Sequence, residues 1–319
     1  MRGSSRESPV MKLSLPHLAI AAITIALAPS VASACACGCD IFDVGGTSMM
    51  PMQKGGEVFV EYNYQDQNQN WSGTSKAPAV NNSDKQIRTN FVTVGLQYTF
   101  NQDWSVVAQV PVWDRKFRTE NDAGDGVDTF NHTALGDIRL MGIYTGLSKD
   151  MSTGLIFGVK LATGDWKYAN FDRDTEIGTG STNLLIGAYH MGSLSRDGAW
   201  GYFVHGLWDV PVASQGGYDP GQEFDGAVGV SYNAGSLDNG KIKVAPLLQL
   251  LGSVRGHDTG PNSNPGDSGY ERVMLSPGIE FDSGPWKLYG DVEIPVYHRA
   301  NGNQLVAPEL FKVVLSRHF

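Results

Sequence analysis

The chain has few cysteines, few basic residues and no long apolar run beyond its N-terminus. Only 3 of 319 residues are cysteine, which excludes a disulfide-stapled framework. After residue 34 no stretch is apolar for the roughly 18 residues that a membrane-spanning helix needs. The 24 basic residues are outnumbered by 33 acidic ones, for a net charge of −9. That balance argues against a nucleic-acid partner, which requires a basic surface.

Catalytic signatures are also missing. The sequence contains no Gly-x-Ser-x-Gly elbow, and its histidines are scattered along the chain. We therefore expect no catalytic residues and no enzymatic activity. A barrel hydrolase with unfamiliar catalytic residues is the alternative that this pattern leaves open.

The N-terminus carries the signature of a targeting segment. Basic residues precede an apolar core at 15–27, and the segment ends in Ala-Ser-Ala at Ala34. This arrangement is typical of a signal peptide, whose apolar core is too short to cross a membrane. We predict a signal peptide over 1–34, with cleavage after Ala34.

Apolar and polar side chains alternate from Glu57 onward. Val58, Val60 and Tyr62 share one parity, and Glu57 and Glu61 share the other. Successive side chains of a strand point to opposite faces, so this segment is a strand with one apolar and one polar face. Similar segments recur near 57–66, 88–100, 104–114, 134–147, 152–162, 182–194, 199–212, 224–234, 241–254, 271–282, 286–298 and 309–319.

The connections between these twelve segments alternate between short and long. The long connections are 67–87, 115–133, 163–181, 213–223, 255–270 and 299–308. Strict alternation is typical of an up-and-down antiparallel transmembrane β-barrel with short periplasmic turns and long outer loops. We predict an all-β barrel of about twelve strands over 57–319, preceded by a periplasmic Cys/Met-containing segment over 35–56.

Aromatic residues and the C-terminus favour the outer membrane of a Gram-negative bacterium. Trp104, Trp200 and Trp286 each open a segment just after a short turn, where a membrane interface places amphipathic rings. Phe319 ends the chain after alternating apolar residues, like the signal that the barrel-assembly machinery reads. We expect outer-membrane lipid, lipopolysaccharide and that machinery as partners.

Three phrases carry a family resemblance. They are Leu-Gly-Asp-Ile-Arg-Leu at 135–140, Gly-Val-Lys-Leu-Ala-Thr-Gly-Asp at 158–165, and Gly-Thr-Gly-Ser-Thr-Asn-Leu-Leu at 178–185. The sequences of these motifs and the spacing between them resemble those of the outer-membrane transporter family of the MetA pathway of phenol degradation. The resemblance implies an outer-membrane barrel that passes small, aromatic or hydrophobic molecules.

Polar residues on the inward parity are the candidates for lining a lumen. They are Glu57, Glu61, Gln97, Asp137, Arg139, Lys160, Asp209, Lys243, Asp291 and Glu293. Charges of both signs can line a water-filled path for passive diffusion of a small solute. Alternatively they pair across a narrow barrel and close it, because buried charges are stable only when paired.

The three cysteines form one cluster, Cys35, Cys37 and Cys39. Alternate residues of an extended chain share a side, so the three sulfurs can converge on a soft metal such as copper. Two alternatives are a disulfide between two of them and lipidation of Cys35. The sequence thus offers a second function, a metal-handling barrel, and otherwise no cofactor.

An acidic, glycine-rich stretch at 121–128 lies in the second predicted long loop. Clustered Asp can hold Ca²⁺, although the bidentate Glu that completes an EF-hand is missing. The alternative is an ordinary solvated loop.

Overall fold

The computed structural model describes residues 34–35, 50–51, 53–121 and 123–319. The predicted signal peptide, apart from Ala34, and most of the 35–56 segment lie outside these residues. The barrel strands, numbered in chain order, are β1 Gly55–Gln67, β2 Asp84–Thr99, β3 Trp104–Glu120, β4 in two segments (Val127–Leu135 and Arg139–Tyr144), β5 Thr153–Lys160, β6 Ser181–Ser193, β7 Trp200–Ser214, β8 Glu223–Tyr232, β9 Ile242–Arg255, β10 Tyr270–Ser283, β11 Trp286–Val306 and β12 Leu310–His318.

The sheet closes on itself. Each strand pairs antiparallel with the strand that precedes it in the chain. The last strand, β12, pairs with β1 in a register that sets Leu315 opposite Val60. Closure removes the unpaired strand edges that lipid would not tolerate. The predicted all-β, up-and-down barrel of twelve strands is confirmed.

The two faces of the wall differ as the alternation predicted. On β1, Glu57 and Glu61 are buried inside, while Val58 and Val60 are 43% and 46% exposed on the outside. An apolar outer row is what contact with hydrocarbon requires. No helix within the described residues is long and apolar enough to cross a membrane.

One end of the barrel carries tight turns and an aromatic ring. Trp104 lies 5.0 Å from Tyr144, and Trp200 lies 4.8 Å from Tyr232, measured between ring centroids. The turn between β10 and β11 needs only residues 284–285. We call this the short-turn end and the opposite one the long-loop end.

Two predicted long loops are wrong. β3 continues to Glu120 and β4 begins at Val127, so the loop predicted at 115–133 shrinks to 121–126. β11 continues to Val306, through the predicted loop 299–308, and pairs with a short strand, Gln69–Gly73. The apolar alternation fades at these extensions because strands that project beyond the lipid need no apolar outer face.

Strand β4 is interrupted at 136–138. Val112 of β3 pairs with Leu135, but Gln109 pairs with Arg139, so one extra residue accumulates on β4. Such an irregularity bends the strand and re-aims a side chain. It leaves Asp137 outside the ladder and free to bind other groups.

Candidate functional site in the barrel interior

Nearly all the residues predicted to line a lumen lie inside the barrel. Glu57, Glu61, Gln97, Asp137, Lys160, Asp291 and Glu293 are buried. Arg139 and Asp209 are half-buried, and Lys243 is exposed at the short-turn end of β9. Their shared orientation follows from the strand period. That they line a path for solute remains a prediction.

The interior is more apolar than the predicted set of polar lumen residues indicates. Inward side chains from β3 to β10 and from β12 form one apolar cluster, together with Met50 and Ala307. Its members are Val107, Ile143, Ile156, Leu185, Tyr189, Phe203, Leu207, Ala227, Leu251, Met274 and Leu310. The alternation hid them, because runs such as Leu-Leu-Ile at 184–186 are apolar on both faces. Such uninterrupted apolar runs are the feature of the sequence that indicates an apolar interior.

Several pairs of opposite charges lie close together inside the barrel. Lys312 lies 3.7 Å from Glu293, and Arg272 lies 3.8 Å from Glu223. Burial of an ion is tolerable when an opposite charge is near, because pairing offsets the lost hydration. Lys312 is not among the residues predicted to face the lumen, although it alternates with the outward residues Phe311 and Val313.

A compact polar network surrounds Asp291. Its Oδ2 accepts hydrogen bonds from Ser276 Oγ at 2.6 Å, Tyr289 OH at 2.6 Å and Gln249 Nε2 at 2.8 Å. The donors come from β10, β11 and β9, so the network ties three neighbouring strands together. Three donors on one oxygen make Asp291 part of the barrel's internal bracing.

A second polar row crosses β5, β6 and β7. Lys160 Nζ lies 2.6 Å from Asp209 Oδ2, and Asn183 Nδ2 donates to the other carboxylate oxygen. Both residues of this ion pair came from the predicted lumen set. Residue parity predicts only that Lys160 and Asp209 both face inward. The register of the three strands brings the two side chains together.

The three phrases that carried the family resemblance meet at Asp137. The Asp137 carboxylate accepts hydrogen bonds from Gly164 N at 2.9 Å, Thr179 N at 2.9 Å and Thr179 Oγ1 at 2.5 Å. Gly164 and Gly178 lie so close that a Cβ on Gly178 would be 2.5 Å from Gly164 C. Glycine is therefore required at this crossing, and the carboxylate fastens both ends of loop 161–180.

Loop 161–180 is folded against the inside of the long-loop end. Arg115 of β3 is buried and donates from Nη1 to Thr175 O at 2.7 Å and to Glu176 O at 3.2 Å. Ile177 is 1% exposed. The sequence predicts a long outer loop at 163–181, but the loop packs inward because a charged donor within the barrel binds its carbonyls.

Aromatic contacts hold the middle of the loop. Tyr168 stacks on His132 with ring centroids 3.7 Å apart, and Phe171 lies 5.3 Å from Phe117. Phe171 also packs on the apolar cluster of Ile87, Phe117 and Leu305. Burial raises the pKa of Glu176 to about 7, although hydrogen bonding to Tyr168 N and the charge of Arg173 oppose the rise.

Met50 lies inside the barrel as well. Its side chain is 6% exposed and belongs to the apolar interior cluster, and Pro51 beside it is buried. The predicted 35–56 segment thus places at least one apolar side chain in the lumen. Cys37, Cys39 and the side chain of Cys35 lie outside the described residues.

Phe319 pairs with the start of β1, where the barrel closes. Phe319 N donates to Gly56 O at 2.8 Å, and Gly56 N donates to Phe319 O at 2.9 Å. A Cβ on Gly56 would lie 2.3 Å from the Phe319 ring, so glycine makes room for the aromatic ring. Phe319 is thus a structural part of the barrel closure.

Solved outer-membrane barrels resemble this fold. An outer-membrane channel from Pseudomonas putida has a TM-score of 0.64 at 13% identity, over 87% of this chain and 100% of that chain. The β domain of the Bordetella autotransporter Brka has a TM-score of 0.49 at 14% identity, over 84% and 100%. The monoaromatic hydrocarbon channel CymD has a TM-score of 0.43 at 10% identity, over 87% and 94%.

These identities are low enough that the likeness shows the fold alone, which is that of an outer-membrane β-barrel. No protein-family model matches the chain, and no curated protein matches it. Membership in the family of the MetA pathway of phenol degradation therefore stays a prediction.

Proposed function

We propose that this protein is an outer-membrane channel that passes small, hydrophobic or aromatic solutes by passive diffusion. The observation that carries the proposal is the apolar cluster inside the barrel, which spans strands β3 to β10 and β12. A wide water-filled porin has a polar interior instead. An apolar interior offers such solutes partial desolvation without a deep binding site.

Two elements would have to move for solute to pass. Loop 161–180 is bound at the long-loop end by Asp137 and Arg115. Met50 contributes its side chain to the cluster itself. A thioether side chain is flexible and polarizable, so it suits a site that is alternately filled by the protein and by an apolar guest.

Conductance of the folded protein in a planar bilayer tests the channel. The matched variant lacks residues 35–51 but keeps Gly55 and Gly56, whose backbone pairs with Phe319 and Thr99. Steps in both proteins support an open channel, and larger steps in the variant make the N-terminal segment a plug. Silence in both, from barrels shown to be folded, refutes a water-filled path.

Flux into proteoliposomes tests the substrate class. We expect faster entry of a small neutral aromatic molecule than of a sugar of similar mass, after correction for leakage through protein-free liposomes. Equal rates for both solutes would contradict the hydrophobic selectivity and leave a general pore.

The cysteine cluster supports a second proposal, a metal-handling barrel whose N-terminal segment binds a soft metal such as copper. Three thiols at Cys35, Cys37 and Cys39 are followed by Met49 and Met52, which are also soft ligands. Metal content of the purified protein and of its triple Cys→Ser variant tests this. Stoichiometric metal that survives the triple change refutes it.

The same proposal includes the partners of the barrel in the outer membrane. We expect outer-membrane lipid and lipopolysaccharide around the apolar outer face, and recognition of the last strand by the barrel-assembly machinery. Removal of Phe319 should lower the yield of folded barrel in the membrane, because the closing contact with Gly56 is lost.

A further inference from the structure

A polar cavity of about 390 Å³ lies at the long-loop end, between the start of β2, loop 161–180 and the loop that follows β9. Its lining is rich in aspartates and asparagines. The charged residues of the lining are Asp84, Asp172, Asp174, Asp267 and Arg173. With four carboxylates and one guanidinium, the cavity has an excess of negative charge.

The nearby basic groups are directed elsewhere. Arg173 Nη1 lies 3.1 Å from Glu176, and its guanidinium stacks 5.0 Å from the Trp166 ring. Lys85 Nζ lies 2.9 Å from Glu120 and 2.9 Å from Ala79 O. Neither cation forms a salt bridge with Asp84 or Asp172 in the described part of the chain.

Asp84 is the decisive residue. It is only 4% exposed, and its Oδ1 has no hydrogen-bond partner among the described residues. Asp172 lines the same cavity, and burial raises the pKa of its carboxyl group. Two adjacent carboxylates with an unsatisfied oxygen are costly unless a cation or a proton lies between them.

We propose that a divalent cation of the Ca²⁺ type bridges Asp84 and Asp172. Calcium takes six to eight oxygen ligands, and the asparagine and serine oxygens of the cavity and water can complete that set. Among the described residues no three His, Cys, Asp or Glu side chains converge on one metal position. The site is therefore a bridge between the barrel wall and loop 161–180, with weak affinity, of about 10⁻⁴–10⁻³ M.

The bridge would act on the barrel mouth. Asp84 belongs to the wall, whereas Asp172 adjoins Phe171 in the middle of loop 161–180. A cation between them fastens the loop where neither Asp137 nor Arg115 reaches. Cation binding is independent of the channel proposal, so each can fail without the other.

Terbium luminescence on the folded, lipopolysaccharide-free protein in detergent tests the site, with Ca²⁺ as competitor. We expect saturable Tb³⁺ binding that Ca²⁺ displaces, and at least a tenfold weaker affinity in the Asp84→Asn/Asp172→Asn variant. Asp238→Asn is the matched control, because Asp238 is exposed in the turn between β8 and β9, at the short-turn end, and pairs only with the nearby Lys241. That control should bind like the parent.

Tryptic cleavage after Lys167 or Arg173 gives the second measurement. Millimolar Ca²⁺ should slow cleavage of the parent severalfold at neutral pH and should have no effect on the double variant. Equal Ca²⁺ affinity in parent and double variant refutes the proposal. So does protection of the parent by acid alone with no effect of Ca²⁺, which would assign the bridging role to a shared proton. The single Asp172→Asn variant decides the matter if the double variant does not fold.

Discussion

Replacement of Asp137 by alanine should release loop 161–180 from the barrel mouth. The carboxylate is 6% exposed and accepts the backbone N–H groups of Gly164 and Thr179, both at 2.9 Å. The Thr179 hydroxyl has an alternative partner in Ser181 Oγ at 2.9 Å, so only the two N–H groups count. Hydrogen bonds to a charged group contribute about 1.5–3 kcal/mol each.

Loss of both hydrogen bonds should cost about 3–6 kcal/mol of loop docking, since each lost bond also leaves a buried N–H unsatisfied. The ratio of docked to released loop should then fall by a factor of about 10² to 10⁴. A docked fraction near unity becomes a substantial released population.

Limited trypsin digestion measures the release, through cleavage after Lys167 and Arg173 relative to the barrel. Asp114→Ala is the matched control, because Asp114 is exposed on the neighbouring β3 and its side chain bonds Asn90 and Thr133 rather than the loop. If Asp137→Ala is cleaved no faster than Asp114→Ala, the clamp does not hold the loop.

Three further predictions concern the interior and the mouth. Met50→Asp should raise conductance, because a carboxylate is unstable in an apolar cluster, whereas the volume-conserving Met50→Leu should not; equal conductance would contradict a Met50 plug. Gly95→Ala should lower the free energy of unfolding of the barrel by about 1–3 kcal/mol, since the new Cβ would lie 1.9 Å from the buried Phe59 ring. The control is Gly252→Ala, whose Cβ would meet nothing nearer than 4.0 Å. It should unfold at the same temperature as the parent, measured by the loss of the heat-sensitive shift in electrophoretic mobility. For Glu176 the folded pKa of about 7 exceeds its ordinary 4.5, so loop docking should be strongest below pH 4.5 and weaken as the pH rises through 7. Glu176→Gln should flatten the pH dependence of tryptic cleavage over that range, after correction for the activity of trypsin on a free peptide at each pH, and an unchanged profile would assign it to another group of the loop such as Asp172.

Local sequence pattern determined the barrel. Val58, Val60 and Tyr62 had to face one way and Glu57 and Glu61 the other, because a strand repeats every two residues. Because lipid surrounds the barrel, the apolar face of each strand lies outside. The alternation of short and long connections indicated that neighbouring strands are antiparallel. Where the lipid ends, as at Lys116 and Arg118 of β3, that constraint ends too, and the prediction failed.

Only the tertiary structure decided how the interior is filled. The pairing of Lys160 with Asp209 depends on the register of β5, β6 and β7, which residue parity does not specify. The meeting of Gly164, Gly178 and Asp137 depends on the extra residue in β4 and on Arg115 binding the carbonyls of the loop. These contacts join residues tens of positions apart in the chain. A periodic pattern carries the orientation of each side chain, whereas closure of the barrel determines which of the inward side chains meet.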